Sequence, residues 1–328
     1  MAYSEEVLRR AKARLAEARQ EQQETYEAHL QEAYARYPRL QEIDRQLRGT
    51  MAQVVAAAFR KGEDPSAAIA SIKEQNLALQ RERDWILDAS ELDGDFLDNT
   101  PICDTCGGTG YVGSAMCECL RELCRQEQKK ELSSLIGTGK ERFSSFRLDY
   151  YSDRYDAEIG ASPRQLMEGA LHYCKNYALS FSVQSPSLLF SGSTGLGKTF
   201  LSGCIARTVA DRGFSVVYDT AIQMISDFES DKFGDSTEET RQNLNRYTTC
   251  DLLIVDDLGT EMVTQFTISA LYNVLNTRLI RGLPTIVSTN LNSEGIRSRY
   301  SPQIYSRLLG SFELILFYGE DVRLRGKI

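Results

Sequence analysis

A chain of 328 residues has room for about two domains. Hydrophobic residues make up 42% and charged residues 26%, with only seven prolines, which excludes collagen-like and wholly disordered chains. The 46 acidic residues against 38 basic leave a net charge of −8, so no general basic coat is available for nucleic acid, and any such contact needs a local patch or the gathered patches of an oligomer.

The chain opens without the charged and then apolar pattern of a secretory leader. No apolar run reaches the roughly 18 residues of a membrane span, so the expectation is a cytoplasmic protein with no membrane partner. Residues 1–98 are rich in Ala, Glu, Gln, Arg and Leu and carry 14 basic against 19 acidic side chains. Val7, Leu8, Ala11, Leu15 and Ala18 recur at helical spacing. A second helix is predicted over about Pro38–Arg60, and a third from near Pro65, with Asp64 as its N-cap, through Ile69, Ile72, Leu77 and Leu79 to Trp85 and Leu87. This block holds no catalytic constellation, so its function has to be a property of its surface.

Residues 99–125 form a second segment, with Cys103, Cys106, Cys117 and Cys119 in a Cys-x2-Cys, ten-residue, Cys-x-Cys pattern. Four soft thiolates on two turns suit tetrahedral zinc, and Gly107, Gly108 and Gly110 permit the reversal between them. Cys124 is an alternative fourth ligand to Cys119. A closed four-cysteine site has no open position and is therefore expected to be structural. Residues 126–186 read as a linker and lead-in: a helical LRELCRQEQKKELSSLI, an irregular ERFSSFRLDYY, and an amphipathic helix with Ser162 as N-cap and Pro163 at its first position.

From 187 to 328 apolar strands alternate with helices, the signature of a parallel α/β sheet. Five strands are predicted, at 187–191, 215–219, 251–256, 284–289 and 312–318. Helices at about 198–212, 221–230, 238–248, 264–281 and 293–309 fill the gaps.

Gly192-Ser193-Thr194-Gly195-Leu196-Gly197-Lys198-Thr199 fits the G-x-x-x-x-G-K-[ST] phosphate loop between a strand and a helix. Glycines let backbone N–H groups wrap phosphates, and the helix N-terminus adds positive potential. Lys198 is placed to reach the β and γ phosphates and Thr199 to ligate Mg²⁺. The strand LLIVDD delivers Asp256 for Mg²⁺, directly or through water, and Asp257 either to polarise the attacking water or as a solvated turn residue. Asn290, ending the strand TIVSTN, reads as a polar sensor holding the lytic water, or as a cap for the next helix. Arg307 reads as an arginine reaching a neighbouring subunit's γ-phosphate, or one paired to a local carboxylate. Arg323 reads as a nucleotide contact, in cis or across an interface, or as a solvated tail charge. Between the second and third strands, Phe228, Lys232, Phe233, Arg241 and Arg246 offer stacking faces and cations to single-stranded nucleic acid, against six acids between Asp227 and Glu239. The alternative there is a solvated helix pair with core aromatics.

The set GSTGLGKT, LLIVDDLGTE, TIVSTNL, YSRLLG and GEDVRLRGK resembles the AAA+ ATPases of the bacterial helicase-loader family, of DnaC and DnaI type. The cysteine element with the ERF and SPR segments is similar to loaders of Gram-positive bacteria. The resemblance implies a five-stranded P-loop AAA+ core without a C-terminal lid, preceded by a helical arm and a small zinc module. Only nine residues follow Gly319, in keeping with that lidless pattern. It further implies an ATPase using ATP, Mg²⁺ and Zn²⁺ that self-associates through residues 187–328 and binds single-stranded DNA. Residues 1–98 would then grip a DnaB-type replicative helicase for loading. Two other readings stand beside it: an IstB-type transposition helper ATPase, and an ATP-gated adaptor with little hydrolysis.

Overall fold

The computed structural model describes residues 3–58, 66–135, 141–233 and 238–325. By packing, the chain divides into two compact units, Arg14–Cys117 in one and Met1–Ala13 with Glu118–Ile328 in the other.

The helical region is built from α1 (Glu5–Arg36), α2 (Pro38–Ala58) and α3 (Ser66–Asp88). The predicted stripe on α1 buries Val7, Ala11 and Leu15, whereas Ala18 is exposed. Pro38 cannot donate within a continuing helix, so α1 stops before it and Pro38 opens α2. Ala33, Tyr34 and Leu40 pack at that corner against Ile86, Leu87 and Phe96. The Tyr34 hydroxyl donates to Asp44 at 2.8 Å, and the other Asp44 oxygen accepts from Arg83 at 2.9 Å, tying α1, α2 and α3 together. The expected cap at Asp64 lies outside the described residues. A two-stranded hairpin, β1 (Tyr111–Val112) and β2 (Ala115–Met116), follows.

The larger unit begins its continuous stretch with α4 (Glu118–Leu135) and α5 (Pro163–Ser180). Ser162 caps α5 as expected: its Oγ accepts from Gln165 N at 3.3 Å and the Gln165 side chain accepts from Ser162 N at 3.0 Å. Next come β3 (Ser187–Ser191), α6 (Lys198–Asp211), β4 (Val216–Thr220), α7 (Ala221–Phe233), α8 (Glu238–Thr249) and β5 (Leu252–Leu258). The unit ends with α9 (Gln265–Arg281), β6 (Thr285–Thr289), α10 (Ser293–Arg299), α11 (Pro302–Ser311), β7 (Phe312–Leu316) and α12 (Val322–Arg325). All five long strands are parallel, in the order β4-β5-β6-β3-β7.

Strand alternation sorts the apolar residues into two cores. Leu188, Phe190, Leu252, Ile254 and Ile286 point to the face covered by α5 and α6. Leu189, Leu253, Val255 and Val287 point to the face covered by α7, α9 and α11. The predicted helix over 293–309 is two helices. Ser301 caps and Pro302 opens α11, so the chain turns at Tyr300.

Among the described side chains of the α7–α8 pair, Phe228, Lys232 and Arg246 have partners within the protein. Arg246 bonds Asp219 at 2.9 Å and Asp227 at 3.0 Å and lies over the Tyr247 ring. Phe228 stacks on buried Tyr247, and Lys232 sits over Phe266. The reading with core aromatics therefore describes Phe228, Lys232 and Arg246. The side chains of Phe233 and Arg241 lie outside the described residues.

Arg278 on α9 is fully buried. Its guanidinium donates to the carbonyls of Tyr247 (3.1 Å), Cys250 (2.9 Å) and Pro284 (2.6 Å) and to Thr285 Oγ1 (2.9 Å). It thereby joins the end of α8 to the starts of β5 and β6. Arg278→Ala leaves several buried acceptors unpaired, each costing about 1–3 kcal/mol, so a loss of about 3 kcal/mol or more is expected in chemical denaturation. Arg278→Lys should recover little, because one ammonium cannot reproduce the planar fork.

Candidate functional site

The phosphate loop spans Gly192–Gly197 between β3 and α6. Gly192 has φ 156°, and a Cβ there would lie 2.2 Å from the carbonyl oxygen of Phe317, so the loop packs directly on the chain leaving β7. Gly197 is the N-cap of α6 in the left-handed region, φ 86°, and no side chain caps the helix. The first-turn N–H groups are thus left for a ligand, as a phosphate cradle requires. Below the loop, the Tyr151 hydroxyl donates to Leu196 O at 3.0 Å, and a Cβ on Gly197 would lie 3.0 Å from the Phe146 ring. Lys198 is buried and donates to the carbonyls of Gly192 and Ser193, both at 2.7 Å. Burial lowers its pKa, and the charges of Asp257 and Asp256 oppose that shift.

A cavity of about 330 Å³ gathers Thr194–Thr199 with Asp257, Asn290 and Arg323. Thr199 and Lys198 line it, whereas Gly192, Ser193 and Asp256 are not among its lining residues. Asp256 is 3% exposed: Tyr218 on β4 donates to its Oδ2 at 2.7 Å, and Ser288 on β6 donates to its Oδ1. Both oxygens are therefore oriented by neighbouring strands, each with one lone pair left. Burial, and then Asp256, push the Tyr218 pKa up, so the phenol stays a donor.

Asp257 follows at φ 55°, the single non-glycine at positive φ among the described residues. The β5–β6 register shifts between Val255 and Leu258, and this irregularity turns Asp257 out of the ladder. Its N–H donates to Ser288 Oγ at 3.0 Å, so one hydroxyl ties both acids. Burial and the charge of Asp256 raise the Asp257 pKa, against Lys198 and Arg323.

Asn290 lines the cavity, and it is Asn292 whose side chain caps α10, accepting from Gly295 N at 2.8 Å. Asn290 is thus left to the pocket. Arg307 does not line this cavity. It donates to Asn276 Oδ1 at 3.1 Å and to the Tyr272 hydroxyl at 2.8 Å on α9, with its guanidinium 4.4 Å from the Tyr272 ring centre. No carboxylate is among these partners. Tyr218, Ser288 and the buried Glu141, which also lines the cavity, have no local signal in the sequence. The β4–β5–β6 register could have pointed to the first two, since it places β4 and β6 on either side of Asp256.

The sulfurs of Cys103, Cys106, Cys117 and Cys119 all lie within 4.8 Å of one another, with Cys103 and Cys117 at 3.8 Å. Tetrahedral zinc with Zn–S of about 2.3 Å sets sulfur–sulfur edges of about 3.8 Å. Gly110 N–H donates to Cys106 Sγ at 3.2 Å, as suits a thiolate ligand. Cys124 is a separate buried thiol whose pKa burial pushes up to about 11. The cluster therefore uses Cys119 and fits zinc.

A parallel sheet in this order, a phosphate loop after the interior strand β3 and paired acids on β5, two strands away across β6, define an ATP-binding P-loop protein of the AAA+ class. Residues 155–325 match the sequence profile of the IstB-like ATP binding proteins, and the chain belongs to that family. The replicative helicase loader DnaC of Escherichia coli K12 is 27% identical over 157 residues, 48% of this chain and 64% of that protein. DnaC of Buchnera aphidicola subsp. Acyrthosiphon pisum is 21% identical over 204 residues, 61% of this chain and 79% of that protein. An insertion-sequence ATP-binding protein of Mycobacterium tuberculosis is 29% identical over 153 residues, 45% of this chain and 60% of that protein. The chain thus spans less than two thirds of the length of the Escherichia coli relative. The crystal structure of the DnaC helicase loader overlaps 54% of this chain and 98% of its own at 20% identity, with a TM-score of 0.43. That of DnaI overlaps 53% and 95% at 18% identity, with a TM-score of 0.42.

Lys198→Ala should abolish measurable MgATP binding in calorimetry. A retained affinity would show that the loop does not hold the triphosphate. Asp257→Asn keeps a side chain that tolerates the left-handed region, so it isolates the charge. Because the folded-state pKa of Asp257 is raised, its contribution to stability is full at low pH and is lost as pH rises through that raised value. Asp257→Asn should therefore leave Tm at neutral pH equal or higher.

Proposed function

We propose that this protein hydrolyses ATP and couples the cycle to loading a DnaB-type replicative helicase onto single-stranded DNA. The observation that carries hydrolysis is the Asp256–Asp257 pair facing the phosphate loop, its two acids oriented separately around Ser288. In this reading Asp257 takes a proton from the attacking water as its oxygen bonds to the γ-phosphorus and the bond to the β-phosphate oxygen breaks. ADP and phosphate leave. General-base help of this kind is worth about 10²–10⁴-fold. Asn290 orients the water, Lys198 holds the β and γ phosphates, and Arg323 contacts the nucleotide. Thr199 and Asp256 would hold Mg²⁺, which would supply neutralisation of phosphate charge. Arg307 belongs to a face that meets a neighbouring copy and supplies its cation there.

Helicase loading is supported by family membership and by the similarity to DnaC proteins. We assign residues 1–98 to a helicase-binding arm, 99–125 to a zinc module, 126–186 to a linker with its lead-in helix, and 187–328 to the ATPase domain. None of the eight cysteines is in a disulfide, which suits the cytoplasm, and no helix among the described residues is long and apolar enough to cross a membrane. The similarity to an insertion-sequence ATP-binding protein favours a second reading, a transposition helper that recruits a transposase to duplex DNA.

The full chain is expected to co-purify with a DnaB-type hexamer at low salt and to bind single-stranded DNA more tightly with ATP than with ADP. Capture of a transposase and a preference for duplex DNA would select the second reading. Asp257→Asn should lower turnover by about 10²–10⁴-fold with MgATP affinity kept. Wild-type turnover should fall on the acid side above the usual carboxylate range, since the base must be ionised and its pKa is raised. Equal turnover in wild type and variant would instead identify an ATP-gated adaptor. Metal analysis should find one zinc per chain, lost in Cys103→Ser together with thermal stability.

A further inference from the structure

Four residues beyond Asp257, Glu261 is 4% exposed, although the next residue, Met262, is 82% exposed. A carboxylate is costly to bury unless fixed donors converge on it. Here they do. Gly259 N–H donates to Glu261 Oε2 at 2.8 Å, and the Tyr300 hydroxyl donates to Oε1. The Glu261 carbonyl accepts from the Arg299 guanidinium at 2.5 Å. Burial, and then Glu261, raise the Tyr300 pKa, which keeps the phenol a donor.

These contacts fasten the turn that carries Asp257. Thr260 donates to the Asp257 carbonyl through N–H at 3.3 Å and Oγ1 at 2.8 Å. Gly259 has φ 108° and is wedged so that a Cβ would lie 2.8 Å from Leu291, the residue after Asn290. Asp257 is held at its own N–H by Ser288, at its carbonyl by Thr260, and two residues on by Glu261. On the far side, Tyr300 lies between the end of α10 and Ser301, the cap of the helix that bears Arg307.

We infer that Glu261 is a positioning residue for ATP hydrolysis, clamping the Asp257 turn to the root of helix α11. The inference rests on Asp257 serving as the base. A less expensive apolar residue could fill the space, but it would leave the Gly259 N–H and the Tyr300 hydroxyl unpaired and the turn unfixed.

The test compares full-length Glu261→Ala, Glu261→Gln and Tyr300→Phe with wild type. Gln can accept from Gly259 N–H and donate to the Tyr300 oxygen, so it restores both contacts. Glu261→Ala is expected to lower kcat by about 10- to 100-fold while MgATP affinity stays within about twofold of wild type, Tyr300→Phe to fall between, and Glu261→Gln to recover most of the rate. Unchanged kcat in folded Glu261→Ala would overturn the inference. So would kcat and affinity falling together with no rescue by Gln, the mark of a purely structural role. If wild type turned over no ATP, the proposed activity fails. The clamp is then judged by hydrogen exchange of the Gly259 amide, expected to be at least about tenfold faster in Glu261→Ala; equal rates would refute it.

Discussion

The hydroxyl of Ser288 bridges two adjacent acids in different surroundings. It donates to Asp256 and accepts from the backbone of Asp257. Without it, two neighbouring carboxylates at the end of β5 would repel one another and share an undefined orientation. With Tyr218 on the opposite side, Asp256 is buried and fixed in orientation, while Asp257, its pKa raised by burial and by the charge of Asp256, lines the cavity with the phosphate loop. One β-strand irregularity thus gives two adjacent acids different surroundings, one buried between strands and one lining the cavity.

The rest of the larger unit follows from keeping β5 between β4 and β6 in register. Two-residue alternation gives β3, β4, β5 and β6 a Leu, Ile or Val for both faces, so these strands cannot slip without exposing a core, whereas the edge strand β7 leaves Leu314 and Leu316 exposed. Arg278 reinforces this from below by tying α8, β5 and β6 with hydrogen bonds in place of an ion pair. The phosphate loop is in turn braced by Phe317 beyond β7 and by Tyr151, and the glycines serve that packing as well as any ligand.

Charge that reads as available in one dimension is spent in three. Arg246 sits among acids in the sequence, and Asp219 and Asp227 claim it. Buried charges have to be paired, so a cation next to a partly buried aromatic is more often an internal tie than a surface probe. Arg307 is a milder case: its partners are a neutral amide and a phenol, which orient the guanidinium without neutralising it.

The linear order of residues was enough to establish the phosphate loop, the acid-ended strand, the four-cysteine spacing, the Ser162 cap and the alternation of strands with helices. Each of these is a short-range pattern imposed by backbone geometry, ligand spacing or the need to bury a strand on both faces. What surrounds the acids was legible only in part. Tyr218, Ser288 and Glu261 lie 38 and 32 residues before and after Asp256, and 39 residues before Tyr300, their respective partners. Such pairings depend on strand order and register, which no local pattern encodes. The break at Tyr300 and the cap of α10 are local matters, set by Ser301 with Pro302 and by Asn292. Tertiary structure decided that Arg246 turns inward: its local preference was shared by two outcomes, and the need of Asp219 and Asp227 for a partner selected between them.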